Sequence, residues 1–264
     1  MKIKSEESNM KRFTKITAVI LALCALCLFA VSCDKSEGEV SDEIRASDKA
    51  YYDYNNSLTG KGTEIRTMFV EREIDTMKVE DFEPTDKQSD YVLIKIKDYG
   101  SIVAVLRSDV APITVANFKK LTKEKFFDGT VFHRVIENFM IQGGGCIVVK
   151  SEDGKTDTFE SKESPSIKGE FTSNGFENNL LHVRGVLAMA RTSVKDSASS
   201  QFYIVHQSSE SAANLNGDYA TFGYVLAGMD VVDAIATCKT FGDANAPIPI
   251  QDVVIESVTF VQPK

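Results

Sequence analysis

The chain has 264 residues, 43% of them hydrophobic, and a formal net charge of −8. That length supports one substantial domain with appendages, or two small domains. The acidic balance lacks the basic footprint that nucleic-acid binding requires, so no nucleic-acid partner is expected.

Lys2, Lys4, Lys11, Arg12 and Lys15 precede an uncharged run from Ile16 to Val31, "ITAVILALCALCLFAV", which is the basic-then-apolar pattern of a secretory signal. Met10 offers an alternative start, because "MKRFTKI" opens a compact signal peptide without Glu6 and Glu7. The run ends in "AVSC", with small Ala30 and Ser32 ahead of Cys33 and acidic sequence after it. This junction resembles the lipobox of bacterial lipoproteins, in which the cysteine is lipidated and becomes the mature N-terminus, although Ala30 stands where leucine is usual. The alternative is a spanning anchor, since the run approaches the ~18-residue threshold. The expectation is a lipoprotein signal peptide at 1–32 and lipid on Cys33. The lipid would anchor the chain to a bacterial cell membrane, facing the extracytoplasmic side. Asp34 directly after the cysteine resembles the signal for inner-membrane retention.

Cleavage before Cys33 removes five positive and two negative charges and takes the net charge from −8 to −11. Residues 34–90 carry 16 acidic and 8 basic side chains, so 33–90 is assigned as a solvated acidic tether. Within it, "TEIRTMFVEREIDTMKV" (Thr63 to Val79) has enough apolar residues for a short strand or helix docked on the domain. Cys146 and Cys238 remain as thiols beside Cys33. They could form one disulfide outside the cytoplasm, but their flanks predict a strand and a helix apart from one another, which favours two buried free thiols.

From Tyr91 to the end, 91–264, the sequence predicts a domain. "YVLIKIK" and "SIVAVLR" flank Asp98-Tyr99-Gly100 as a β-hairpin. "APITVANFKKLTKE" puts Pro112 in a first helical turn with Val115, Phe118 and Leu121 on one side, which predicts a helix over about 112–123. Strand-like runs follow as "TVFHRV", "NFMIQG", "CIVV", "GVLAMA", "QFYIVH", "TFGYVL" and "DVVIESVTFV", with a second helix at "MDVVDAIATC". Many short strands and few helices argue for an antiparallel barrel or sandwich.

Three segments are strand-like yet carry polar groups among large apolar ones: "FHRVIENFMIQGG", "GVLAMARTSVKDSASSQFYIV" and "NLNGDYATFGYV". Together, over roughly Tyr91 to Val261, they resemble the cyclophilin-type peptidyl-prolyl isomerases, and "GVLAMART", "SASSQFYI" and "DVVIESVTF" are most similar to the bacterial single-domain branch. The resemblance implies a mainly β fold, a closed eight-stranded antiparallel barrel capped by two α-helices, with the active groove on its outside. It implies Arg134 as the catalytic arginine, preceded by His133, and a proline-ring pocket of Phe139, Met140, Tyr203, Phe222 and Leu215. It also implies Gln142 and Gln201 bordering the groove, and Ala190 with Arg191 as the edge whose backbone holds the substrate peptide. Where many eukaryotic members have a rim tryptophan this chain has Asn214, where they have a groove histidine it has Tyr219, and Tyr203 replaces a usual phenylalanine. The glycine-rich loop after "QGG" is replaced by the charged "SEDGKTDTFESKESPSIKGE".

The chemistry asks for the same parts. Rotating an Xaa-Pro bond breaks amide resonance, a barrier of ~18–20 kcal/mol, with no covalent intermediate and no proton transfer. An apolar slot for the pyrrolidine ring and a fixed donor that favours the twisted prolyl nitrogen suffice. Arg134 supplies a permanent charge and a rigid fork, and Gln142 can orient it. His133 is read as a satisfied structural histidine, His182 and His206 lack metal-ligand spacing, and Ser199 and Ser200 have no nucleophile-elbow setting. No cofactor and no metal are expected, and the partners are proline-containing polypeptides met by a monomer. The competing readings are a non-catalytic peptide-binding or chaperone module and a scaffold lipoprotein working through residues 34–90.

Overall fold

The computed structural model describes residues 70–149 and 158–264. The signal-like segment, Cys33 and the tether up to residue 69 lie outside the described residues, as does part of the charged loop. The predicted hairpin forms from β2 (Tyr91–Ile96) and β3 (Gly100–Leu106), paired from Tyr91↔Val105 to Ile96↔Gly100. Asp98 at φ 65° and Gly100 at φ 131° make the reversal.

The main sheet runs β1-β13-β2-β3-β10-β8-β9-β5-β4 and every pair in it is antiparallel. Its remaining members are β1 (Phe82–Pro84), β4 (Arg134–Ile136), β5 (Met140–Gly143), β8 (Val186–Met189), β9 (Phe202–Val205), β10 (Thr221–Ala227) and β13 (Ile255–Pro263). Two small ribbons stand beside it, β6 (Cys146–Val149) with β7 (Thr158–Ser161), and β11 (Thr240–Phe241) with β12 (Ile248–Pro249). The sheet thus has nine strands where eight are expected. The additional one is β1, drawn from sequence assigned to the tether, and it pairs with the far end of β13. Upstream of β1 on the same edge, the segment before β4 bonds to the start of β13: Gly129 N donates to Ile255 O at 2.9 Å, Ile255 N to Thr130 O at 2.7 Å, and Phe132 N to Val253 O at 2.9 Å. These bonds occupy backbone groups that an open edge would leave unpaired.

Both faces of the sheet are apolar, so alternation along a strand sorts side chains between two clusters rather than between core and water. On the inner face Val92, Ile94, Ile102, Ile141, Leu187, Phe202, Ile204 and Phe222 surround Phe118. The Phe118 ring lies 4.7 Å from Phe127, 5.5 Å from Phe202 and 5.3 Å from Phe222. On the outer face Val103, Met140, Val186, Ala188, Tyr203, Val205, Tyr224 and Leu226 form the second cluster. Residues 70–84 cover part of it. Val70 and Phe82 are buried there, and Ile74, Met77 and Val79 pack on it. Asp75 N donates to Val225 O and Met77 N to Leu226 O, which ties this strap to β10.

Helix α1 (Pro112–Lys123) has the bounds the sequence predicts, with Val115, Phe118 and Leu121 buried. Its N-cap residue is Ala111, which has no side-chain acceptor to offer. Glu170, fully buried, reaches in from a distant loop instead. Its carboxylate accepts from Ile113 N at 2.9 Å and from Thr114 N and Thr114 Oγ1 at 2.7 Å. Helix α3 (Met229–Ala236) follows a four-residue turn of helix, α2 (Glu210–Ala213). Its first amides are also capped from afar, by Asp75 Oδ1, which accepts from Gly228 N and Met229 N. Among the described residues no helix is long and apolar enough to cross a membrane. Cys146 and Cys238 form no disulfide with each other. Cys146 is buried as expected, but Cys238 is only partly so, because it sits just past the exposed end of α3.

Glu170→Ala would take the acceptor from two buried donors of Thr114 and from the part-buried Ile113 amide, so it should lower the free energy of unfolding by about 3 kcal/mol, and Glu170→Gln, which keeps one acceptor, by about 1 kcal/mol. Urea titration at constant m-value checks both figures.

Candidate active site: an arginine clamped at the rim of an apolar slot

Strand register places the candidate site. Arg134 opens β4 opposite Gln142 on β5, and Gln142 in turn faces Tyr203 on β9. The three lie in one cross-strand row, on the outer face with Met140 and not with the inner-facing Ile141. Arg134 Nη1 donates to Gln142 Oε1 at 3.1 Å, and Nε donates to the Asn245 carbonyl at 2.9 Å. Gln142 Nε2 donates to Gln201 Oε1 at 3.0 Å. The Gln142 amide therefore has its oxygen toward the guanidinium and its nitrogen toward Gln201, an orientation fixed at both ends.

All three glycines after Gln142 are accounted for by close approach, a Cβ at Gly143 meeting Val131 O at 2.7 Å. Gly144 has φ +81°, and a Cβ there would meet the Phe202 ring at 2.7 Å. A Cβ on Gly145 would lie 2.2 Å from Gln201 Cγ, so a side chain at 145 would displace the glutamine that holds Gln142.

Beside the guanidinium, Phe139, Met140, Ala190, Tyr203, Leu215 and Tyr219 share the outer cluster and form the slot wall. Tyr219 meets Tyr203 edge-on at 6.2 Å. Arg191 lies over the Tyr219 ring at 4.6 Å and over Phe171 at 5.0 Å, with Nε donating to Asp218 O. Its side chain thus braces the aromatic wall, while Ala190 N donates to Gln201 O along the neighbouring edge. An open groove of about 440 Å³ continues past Arg134 and Phe139, lined also by Glu137, Asn138, Glu210 and Asn245. Asn214 caps the end of α2 and is exposed.

One expected pocket residue is elsewhere. Phe222 is fully buried on the inner face against Phe118, not with Met140 and Tyr203. Thr221 and Gly223 pair with consecutive residues of β8, Ala188 and Leu187, so Phe222 sits in a bulge whose facing could not be counted from sequence alternation.

The histidines are held neutral. His133 is partly buried, its Nδ1 has no hydrogen-bond partner among the described residues, and burial with the adjacent Arg134 charge holds its pKa down at about 4. It contributes backbone, with its N donating to Gln142 O at 3.0 Å. His182 was given no role from sequence, yet it supplies the partner that the Tyr203 hydroxyl needs. Asn216 Oδ1 accepts from His182 N at 2.8 Å and lies 2.9 Å from Nδ1, so Nδ1 carries the proton and Nε2 accepts from Tyr203 Oη at 2.8 Å. Burial pushes the His182 pKa down to about 4 and that of Tyr203 well above its ordinary value. The Asn245 carbonyl is a second contributor the sequence reading missed. Nothing local in "GDANAP" signals a contact with Arg134, 111 residues away.

Comparison with known proteins follows the same lines. Residues 91–260 match the cyclophilin type peptidyl-prolyl cis-trans isomerase/CLD family. The chain is 44% identical over 163 residues to a peptidyl-prolyl cis-trans isomerase of Acinetobacter baylyi, covering 60% of this chain and 79% of that protein. It is 39% identical over 168 residues to peptidyl-prolyl cis-trans isomerase B of Escherichia coli K12, covering 61% and 94%. Among solved structures, a cyclophilin type isomerase of Cryptosporidium parvum superposes with a TM-score of 0.52 at 25% identity, over 66% of this chain and 98% of that one. The same protein determined in the presence of the dipeptide Ala-Pro gives 0.50 at 26%, over 64% and 97%. With its arginine clamped over an apolar slot and its family match spanning 91–260, the chain belongs to the cyclophilin type and is a peptidyl-prolyl cis-trans isomerase.

Proposed function

We propose that this isomerase is a lipid-anchored enzyme of a bacterial cell membrane that turns Xaa-Pro bonds in polypeptides folding on the extracytoplasmic side. The observation that carries the catalytic half is the Arg134 guanidinium, fixed by Gln142 and the Asn245 carbonyl at the rim of the Phe139, Met140, Tyr203, Leu215 and Tyr219 slot. A prolyl ring seated in that slot brings its nitrogen under the guanidinium. As the bond twists, the nitrogen loses amide resonance, gains a lone pair and becomes a better acceptor, so a pre-aimed donor gains most at the twisted state. The Ala190–Gln201 edge provides backbone along which the preceding residues lie, in keeping with the Ala-Pro dipeptide used with the Cryptosporidium relative. The bonds between 129–132 and 253–255 support reading the sheet as a closed barrel with α1 and α3 as its caps.

The membrane half rests on sequence: basic residues, an uncharged run, and Cys33 at the apolar-to-acidic junction. Lipid there would tether the domain to the membrane, and stable anchoring needs more than one chain or signal. The members of the family matched above supply the isomerase activity without bearing on where it is exercised.

Arg134→Ala should remain folded and lose about 10²–10³ in kcat/KM on an Xaa-Pro peptide, because the donor acts mainly in the transition state. Arg134→Lys should fail nearly as badly, since a point ammonium cannot reproduce the fork that Gln142 and Asn245 hold. A folded Arg134→Ala with full rate would overturn the mechanism, and an inactive wild type would favour the peptide-binding module. For the anchor, Cys33→Ala should accumulate as an uncleaved precursor without lipid in a lipoprotein-processing host. Unchanged mass and processing would point to a spanning segment or ordinary secretion.

A further inference from the structure

The turn between β4 and β5 carries Phe139 into the slot, and it is held from outside its own hairpin. Asn138 stands there at φ 63°, the left-handed region that asparagine tolerates better than most residues. The group that holds it from outside is His206, the residue after β9 and 4% exposed. Asn138 N donates to His206 Nδ1 at 2.9 Å, and His206 N donates to Phe139 O at 2.9 Å. A ring nitrogen that accepts a backbone N–H carries no proton, so the imidazole proton is on Nε2, 3.2 Å from Asp233 Oδ1. Asp233 is itself fixed, since Arg184 donates to both its oxygens at 2.6 and 2.8 Å and also to the His206 carbonyl at 2.7 Å. Three elements, the Arg184 loop, β9 and α3, therefore converge on one backbone amide of the slot turn.

We propose that His206 is a positioning residue for isomerisation: as the neutral Nε2–H tautomer it clamps the Glu137–Asn138 turn that seats Phe139 and Met140, and its protonation releases that turn. A proton on Nδ1 would face the Asn138 N–H, two donors with no acceptor between them, so either the ring or the turn must move. Asp233 would still hold Nε2, which leaves the turn as the part that gives way.

The charged groups facing His206 are Asp233 on α3, Arg184 on the loop before β8 and Glu137 on the turn itself. Burial and Arg184 lower its pKa, while Asp233 and Glu137 oppose them. Among the described residues no carboxylate opposes the depression of His133 or His182, both down at about 4. His206 therefore takes up its proton at a pH below its ordinary 6.5, with carboxylates facing it that oppose the depression. The sign follows: neutral His206 is the working form, so the slot is intact at neutral pH and loosens as pH falls.

The slot grips ground state and transition state alike, so the effect should appear in KM more than in kcat. The test is kcat and KM of the full chain on an uncharged Xaa-Pro peptide, from about pH 7.5 to about pH 5, with circular dichroism at each pH. Wild type should show KM rising as the pH falls below about 6.5. His206→Asn keeps an acceptor at the position of Nδ1 and cannot titrate, so it should stay within about threefold of wild type at neutral pH and show a flat KM. His206→Leu should raise KM about tenfold at every pH with kcat little changed. An Asn variant with the wild-type pH profile, or one as impaired at neutral pH as the Leu variant, overturns the proposal. So does a Leu variant with wild-type KM. Should the Leu variant fail to fold, the pH profile of the Asn variant decides alone.

Discussion

The row Arg134–Gln142–Tyr203 across β4, β5 and β9 is the constraint on which the rest of the structure depends. Side chains alternate along a strand, so slipping β5 by one residue would send Gln142 into the aromatic core and bring Ile141 out under the guanidinium. Register therefore decides which side chains meet at the candidate site. It is pinned from both sides: on the inner face by Ile141 against Ile204, and on the outer face by the polar chain from Arg134 through Gln142 to Gln201. The tight backbone at Gly144 and Gly145 follows from the same demand, because Phe202 and Gln201 already occupy the space that side chains there would need.

A sheet that uses both faces must bury both. The inner face is closed by α1, α3 and the phenylalanines around Phe118. The outer face is divided between the open slot and a strap from residues 70–84, and the two belong to one apolar cluster running from Val70 and Phe82 to Met140 and Tyr203. Fully burying one large apolar side chain is worth about 1.5–3 kcal/mol, so Val70 and Phe82 alone make this strap a stabilising part of the folded unit. Its polar contacts act in the same direction: Asp75 caps α3 while Glu73 accepts from the Tyr224 hydroxyl. The acidic stretch therefore ends as structure rather than as solvated chain.

What could be read from the sequence was local or came as a linked set. The β2–β3 hairpin and α1 carry their signals within a dozen residues, in alternation, turn chemistry and a first-turn proline. Arg134, Gln142 and the slot residues were legible because several segments matched one pattern together. What escaped was set by pairing over long separations. Glu170 caps a helix through the Ile113 amide 57 residues earlier, His206 holds a turn 68 residues away, and β1 is three residues ending in a proline that becomes a strand only because β13 leaves an edge for it. Phe222 shows the complementary failure: the resemblance implied a pocket position for it, but the bulge opposite Leu187 and Ala188 turns its ring to the inner face.

The three histidines show how this site reconciles polar groups with an apolar slot. Each lies within or beside the groove, and none is placed to exchange a proton with a substrate. His133 contributes its backbone, His182 fixes the Tyr203 hydroxyl, and His206 fixes the Asn138 amide. Burial keeps all three toward the neutral form, in which one ring nitrogen donates and the other accepts, so a single imidazole can join two groups that would otherwise be buried without partners. A reaction that only rotates a bond has no use for a titrating base, but it depends heavily on walls and donors that do not move while the substrate does. Neutral imidazoles serve that need at the cost of acid sensitivity, because every proton they accept replaces an acceptor with a donor in a place already full of donors.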